Sequence, residues 1–170
     1  MRPLQAARVA DEHVWYFAYG SNMSPGTFLG RRQMQPLETV VAHLDGYRLC
    51  FDIPVGPGER GVANLQVDGA TRTHGVAYRL THADAERLDR TEGVPQGLYH
   101  RESVELRLRD ARVVAGFTYR SRISDPSRKP SERYLGLLLD GARTHGLHAD
   151  YVAVLEAFSL AVDERPPEER

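Results

Sequence analysis

Residues 16–22 read Tyr16-Phe17-Ala18-Tyr19-Gly20-Ser21-Asn22, an aromatic run that stops on a small polar turn. The first four residues suit a buried strand, and Gly, Ser and Asn are the residues that end one. Gly20 is expected to supply positive φ and to let a ligand approach the backbone, while Ser21 and Asn22 add hydrogen-bonding groups of their own. A junction of this kind aims backbone N–H groups at whatever lies beyond the strand end.

Working outward, residues 14–19 read as that inner strand, and Ser24-Pro25 marks a helix start, with Ser24 as N-cap and a short helix over about 25–29. Residues 38–44 and 47–53 flank Asp45-Gly46, the dipeptide favoured in a two-residue hairpin turn, and are expected as two antiparallel strands. The Gly/Pro-rich stretch 54–61 is a loop. It lacks the Gly-Lys-Ser/Thr of a phosphate-binding loop, and residues 62–67 after it have strand character. Residues 72–80 make a further strand, after which Thr81 caps a short helix that breaks at Glu92-Gly93-Val94-Pro95. Strands are expected over 98–108 and 113–119, joined at Asp110-Ala111. A helix capped by Ser131 ends at Gly146, and a last helix covers about 149–158.

The result is an α+β fold of six or seven short strands, mostly in hairpins, with two or three helices, in one domain over 14–160. Residues 1–13 and 161–170 are expected as flexible termini. The chain has 170 residues, 41% hydrophobic and 26% charged, with a net charge of −1. That balance builds no field to gather nucleic acid or anionic membrane, and no run is long and apolar enough to span a bilayer. The single cysteine, Cys50, has no disulfide partner in the chain and fits a reducing cytoplasm.

Several segments together resemble the γ-glutamylcyclotransferases. Tyr19-Gly20-Ser21-Asn22 is followed about seventy positions later by Leu88-Asp89-x-x-Glu92-Gly93-Val94. Between and after them stand Gly61-Val62-Ala63-Asn64-Leu65, Gly75-Val76-Ala77-Tyr78-Arg79-Leu80, Gly97-Leu98-Tyr99 and Pro130-Ser131-x-x-Tyr134. The resemblance runs from Trp15 to Phe158. Asn22 makes the match closer to the type that acts on γ-glutamyl amino acids than to the glutathione-degrading branch, which resembles Tyr-Gly-Ser-Leu at this point. It implies a cofactor-independent enzyme in which the α-amine of a small-molecule γ-glutamyl substrate attacks its own γ-carbonyl, closing 5-oxoproline and releasing an amine. It also implies a small mixed, barrel-like sheet with the helices packed outside it and the Tyr-Gly-Ser-Asn turn at the mouth of a cavity.

That reaction needs one group to take a proton from the α-ammonium and return it to the leaving nitrogen, and Glu92 is the candidate, with a pKa raised by partial burial. Residues Tyr16, Phe17, Ala18, Tyr19, Gly20, Ser21 and Asn22 are the expected substrate-binding segment, with backbone N–H groups of the turn as oxyanion donors. Tyr119 and Ser121 are further contacts at the same mouth.

Other candidates are weaker. His145 and His148 straddle Gly146-Leu147 where a helix ends, which suits capping or surface roles better than metal ligation. Ser21 has no Gly-x-Ser-x-Gly elbow, and Cys50 has no nucleophile motif. Arg107, Arg109, Arg112, Arg120 and Arg122 are scattered on two strands among acidic neighbours and read as solvated faces. Three alternatives stay open: a non-catalytic small-molecule-binding module on the same fold, deprotection of a γ-glutamylated biosynthetic intermediate, and a homodimer.

Overall fold

The computed structural model describes residues 12–170; most of the terminus expected to be flexible over 1–13 lies outside the described residues. Five strands close a barrel in the order β1-β3-β2-β4-β5. These are β1 (His13–Ala18), β2 (Glu38–Pro54), β3 (Gly61–Thr81), β4 (His100–Leu108) and β5 (Val113–Arg120). β3 pairs antiparallel with both β1 and β2, as β4 does with β5. Closure comes from a parallel contact of β1 and β5 at Tyr16 and Phe117. Closing the sheet removes the open edges that would otherwise template pairing with other chains.

The strand count falls below the expected six or seven because Asp45-Gly46 is not a hairpin turn. Asp45 pairs with Arg72 and Tyr47 with Val67, so Gly46, at φ +86°, sits in a bulge within one long strand. Residues 38–44 and 47–53 are its two halves, and 62–67 and 72–80 are the two halves of its partner. A left-handed residue that could reverse a chain here bends it, since both halves find partners on one neighbour. The true reversal is the 54–61 loop.

Three α-helices pack on the barrel: α1 (His82–Thr91), α2 (Glu132–Thr144) and α3 (Ala149–Glu156). Thr81 caps α1 by accepting from the Asp84 N–H, and Ser131 caps α2 by accepting from the Tyr134 N–H. Ser24 does not cap a helix. Its hydroxyl donates to Asp140 Oδ2 at 2.8 Å, and the chain continues into a π-helical turn, Gly26–Arg31. The core runs through the barrel and under the helices, with Phe17, Leu65, Val76, Leu80 and Leu106 meeting Leu88 of α1, Leu138 of α2 and Leu155 of α3.

What positions the site is the contact between α2 and a 3-10 turn, Ser21–Met23. Gly141 makes it: a Cβ there would lie 2.4 Å from the Met23 carbonyl carbon, so only glycine lets the helix seat so low. His145 Nε2 bonds the Met23 carbonyl oxygen at 3.0 Å, and His148 caps α3. The terminus expected to be flexible over 161–170 is tied down at its start. Ala161 N–H donates to the Pro130 carbonyl, Val162 N–H to Glu59, and Asp163 pairs with Arg60 and Arg165.

Candidate active site

β1 delivers Tyr16 and Tyr19 to one end of the barrel, and the following turn adds Gly20, Ser21 and Asn22. Ala63 of β3, Tyr119 of β5 and Tyr99 from the approach to β4 close the sides of the cavity. Tyr134 of α2 and Glu92 at the end of α1 complete it. Five of the chain's eight tyrosines therefore wall one small cavity around one carboxylate.

Glu92 is the C-terminal cap of α1, held in place as its N–H donates to the Leu88 carbonyl at 2.9 Å. Its side chain is only 13% exposed. Asn22 Nδ2 donates to Glu92 Oε1 at 2.8 Å, and an Arg32 guanidinium nitrogen lies 3.5 Å from the same oxygen. Among the described residues Oε2 has no hydrogen-bond partner, so one oxygen is anchored and the other is open to a ligand. Burial pushes the Glu92 carboxyl above its usual range, and Arg32 and Asn22 only partly offset it. The negative end of the α1 dipole acts in the same direction as burial.

The tyrosine wall is held from behind. Tyr119 donates to Asp89 at 2.6 Å, and Arg101 grips Asp89 through Nε at 2.8 and 3.1 Å while its guanidinium lies over the Phe117 ring. Tyr99 donates to the Ala63 carbonyl at 2.6 Å, and Tyr134 accepts from the Ala63 N–H at 3.1 Å. Burial raises the phenols of Tyr16, Tyr19, Tyr99 and Tyr119 above their ordinary values, and lifts Tyr134 to about 12. The wall is thus uncharged at neutral pH and offers hydrogen bonds and ring faces.

Of the expected site residues, Glu92, Tyr16, Tyr19, Gly20, Ser21, Asn22 and Tyr119 meet at this cavity. Phe17 and Ala18 do not line it: both are fully buried in the core. Gly20 does not use positive φ, since its φ is −112°. Space explains it instead, because a Cβ would come within 3.1 Å of the Ala63 Cβ and 3.3 Å of the Tyr134 hydroxyl.

Ser121 faces elsewhere. It lines a second cavity of about 650 Å³, on the far side of the strand wall, with Asp52, Glu102 and Arg120. Alternation sets the two faces of the wall, for Ala63, Tyr99 and Tyr119 face the first cavity while Asn64, His100 and Arg120 face the other way; Ser121 leaves that alternation because β5 ends at Arg120, and its hydroxyl donates to the Leu98 carbonyl at 2.6 Å. Arg120 is paired there to Glu102, and Asp52 is held by Asn64, Gln66 and Ser124. Of the arginines read as solvated strand faces, Arg107 and Arg112 are also ion-paired.

Ala63, Tyr99 and Tyr134 stand within the motifs that resemble the family but outside the expected site residues, and Arg32 belongs to no motif. A motif residue two or three places from a turn signal was the available clue for Tyr99 and Tyr134. No local pattern pointed to Arg32.

Five strands closed into a barrel, with a buried carboxylate anchored on one oxygen at a tyrosine-walled cavity, define the class of fold and its candidate small-molecule site. The AIG2-like family model matches residues 72–155. The chain is 32% identical over 162 residues to the γ-glutamyl cyclotransferase verK of Clonostachys rogersoniana, covering 79% of this chain and 90% of that protein. It is also 32% identical over 166 residues to the γ-glutamyl cyclotransferase aclK of Aspergillus oryzae, covering 84% of this chain. The chain spans only 60% of the length of that relative and 63% of gliK of Claviceps purpurea. A solved γ-glutamyl cyclotransferase structure superposes with a TM-score of 0.82 over 91% of this chain and 93% of that one, at 22% identity, and so shares the fold. This chain belongs to the γ-glutamylcyclotransferase, AIG2-like family. Among the described residues no helix is long and apolar enough to cross a membrane.

Proposed function

We propose that the protein is a γ-glutamylcyclotransferase that releases 5-oxoproline and a free amine from a γ-glutamyl amino acid or amine, with Glu92 as general acid and base. The observation that carries this reading is the Glu92 carboxylate, anchored through Oε1 by Asn22 and Arg32 and open at Oε2.

In the ground state the ionised Glu92 meets the substrate α-ammonium. Oε2 takes a proton, and the α-nitrogen lone pair attacks the γ-carbonyl carbon, forming the ring C–N bond and a tetrahedral oxyanion. The protonated Glu92 then gives that proton to the leaving nitrogen as the original amide C–N bond breaks. The ring nitrogen still carries a second ammonium proton, which Glu92, again a carboxylate, takes and passes to the departing amine. Two protons therefore move from the α-nitrogen to the leaving group, giving a neutral lactam and an ammonium with no net gain or loss. A carboxyl whose pKa is pulled up toward the working pH serves both halves. Backbone N–H groups of the Gly20–Asn22 turn are the candidate donors to the oxyanion.

Nucleophile and electrophile share one molecule, so the cavity's main task is to hold the bend. Intramolecular attack of this type reaches effective molarities of roughly 10⁵–10⁸ M when the geometry is right. Asp89 and Arg101 serve that task by fixing Tyr119, and Ala63 by bridging Tyr99 and Tyr134. The one cysteine, partly buried and unpaired, is consistent with a cytoplasmic setting.

The test is 5-oxoproline release, followed by mass spectrometry, from γ-glutamyl amino acids, γ-glutamyl amines and glutathione, with Glu92→Gln beside the wild type. Glu92-dependent release supports the reaction, and the preferred leaving group names the substrate. Substantial turnover retained by Glu92→Gln sinks the mechanism. Silence across the panel, together with ligand binding indifferent to Glu92, gives the site to a non-catalytic binding role.

A further inference from the structure

Arg32 closes the π-helical turn Gly26–Arg31, its N–H donating to the Thr27 carbonyl five residues back at 2.9 Å. Such turns are rare and concentrate at functional sites. The widened turn leaves the Arg32 guanidinium only 21% exposed and brings it against two residues of the cavity. Nε donates to Asn22 Oδ1 at 2.7 Å, and a terminal nitrogen stands 3.5 Å from Glu92 Oε1.

The first of these contacts decides the orientation of an amide. A carboxamide can present either its oxygen or its NH2 to a neighbour, and only the NH2 suits a carboxylate. With Oδ1 taken by Arg32, Nδ2 is committed to Glu92 at 2.8 Å and to the Tyr16 hydroxyl at 3.0 Å. The Asn22 backbone is pinned as well, its carbonyl accepting from the Tyr78 hydroxyl at 2.8 Å.

The second contact concerns charge. Facing Glu92 are Tyr16 and Tyr19 from β1 and its end, Tyr99 from the approach to β4, Tyr134 from α2, Asn22 from the turn and Arg32. On α1 itself, Asp89 is neutralised by Arg101. Among the described residues Arg32 is the one cation within ion-pair distance of Glu92. The pair is long and one-sided, so it can hold charge on the carboxylate while leaving Oε2 for an incoming ammonium.

We propose that Arg32 is a positioning residue of this cavity, fixing which end of the Asn22 amide meets Glu92 and keeping Glu92 ionised until a substrate ammonium arrives. The proposal rests on reading the cavity as the cyclotransferase site. It assigns a role to a side chain that does not itself touch substrate, so activity alone is not its test.

The deciding measurement is a ¹³C NMR titration of the Glu92 side-chain carboxyl, its resonance assigned by disappearance in Glu92→Gln, in wild type, Arg32→Gln and Arg32→Lys. Arg32→Gln moves the midpoint up by about one pH unit, as loss of an opposite charge at this range does. The acid limb of the kcat/KM profile moves with it. Arg32→Lys restores the cation without the Nε contact. Its midpoint returns toward wild type while kcat/KM at its optimum stays down by about 10-fold, the cost of a loosened carboxamide. A midpoint unchanged in a folded Arg32→Gln, checked by near-UV circular dichroism, overturns the proposal. So does an Arg32→Lys variant equal to wild type in both readouts, which also decides if Arg32→Gln does not fold. Should no γ-glutamyl compound be turned over by the wild type, the activity reading fails while the titration still settles the role of Arg32.

Discussion

Glu92 and Asp52 are both buried carboxylates, they stand on opposite sides of one strand wall, and the chain treats them differently. Asp52 accepts from Asn64 Nδ2 at 3.0 Å on one oxygen and from Gln66 Nε2 at 2.7 Å and Ser124 Oγ at 2.6 Å on the other. Burial pushes it up, but these donors outweigh burial and hold it below the usual carboxylate range. Glu92 has contacts on one oxygen only, and burial wins. Saturating both oxygens with neutral donors makes a carboxylate a permanent anion and a structural pin. Leaving one oxygen open in a dry place makes a group ready to exchange a proton. The Asp52 pin also serves the site: Asn64, which it holds, accepts from the Ser121 N–H and donates to the Ser121 carbonyl, fixing the strand wall beside Ala63.

The sharpest break in that comparison is the pair Glu92→Gln and Asp52→Asn assayed side by side. Glu92→Gln loses about 10³-fold in turnover with its fold intact, the range of general acid–base catalysis. Asp52→Asn keeps turnover within about 10-fold, because it touches only the far side of the wall. Equal losses in the two variants would erase the distinction.

Stability reverses the ranking. Asp52→Ala leaves three donors without their acceptor and costs about 2–3 kcal/mol in urea unfolding, since stranded buried donors carry their full desolvation penalty. A cost below the error of the extrapolation would show that water replaces the carboxylate at no loss.

Next in size is the turn itself. Gly20→Val must displace Ala63 or Tyr134, and overpacking of this kind lowers kcat/KM by about 10-fold or more. Ser21→Ala stays within about threefold, since the turn contributes backbone rather than hydroxyl. A larger loss for Ser21→Ala than for Gly20→Val would move the binding role to the side chain.

The smallest effect is the pH dependence of stability, and its sign differs at the two sites. The folded-state pKa of Glu92 is raised, so the native protein holds that proton better than the unfolded chain does. Its contribution is full below the ordinary glutamate value and is lost as pH rises through the folded value. Glu92→Gln therefore melts later relative to wild type above that window than below it. The Asp52 pKa is lowered, so its contribution is present above the ordinary aspartate value and is lost as pH falls through the folded one. Thermal melts of both variants across pH check the two slopes.

Much of this was legible along the chain because it is local. Thr81 and Ser131 cap helices where a Thr or Ser precedes an amphipathic run, and Gly146 ends one in the left-handed conformation that only glycine adopts freely. The position of Glu92 is legible because a helix breaking into a Gly/Pro turn is a local event, while its candidacy for proton transfer comes from the family resemblance. Asp45-Gly46 misled because the same φ serves a hairpin and a bulge, and the choice depends on which residues lie opposite. Ser121 was placed at the wrong cavity because a strand end does not announce which face its next residue takes.

The sequence by itself determined the class of fold, since caps, breaks and alternation are set by neighbours a few residues away, and its resemblance to the family pointed to the candidate carboxylate and turn. Only the tertiary structure decided that five tyrosines from three elements and two connections wall one cavity, that Asp89 works behind Tyr119, and that Arg32 reaches back to Asn22 and Glu92. Those contacts join residues up to about a hundred positions apart, and their energies depend on burial and on the unmet oxygen of one carboxylate. Neither quantity exists until the barrel has closed.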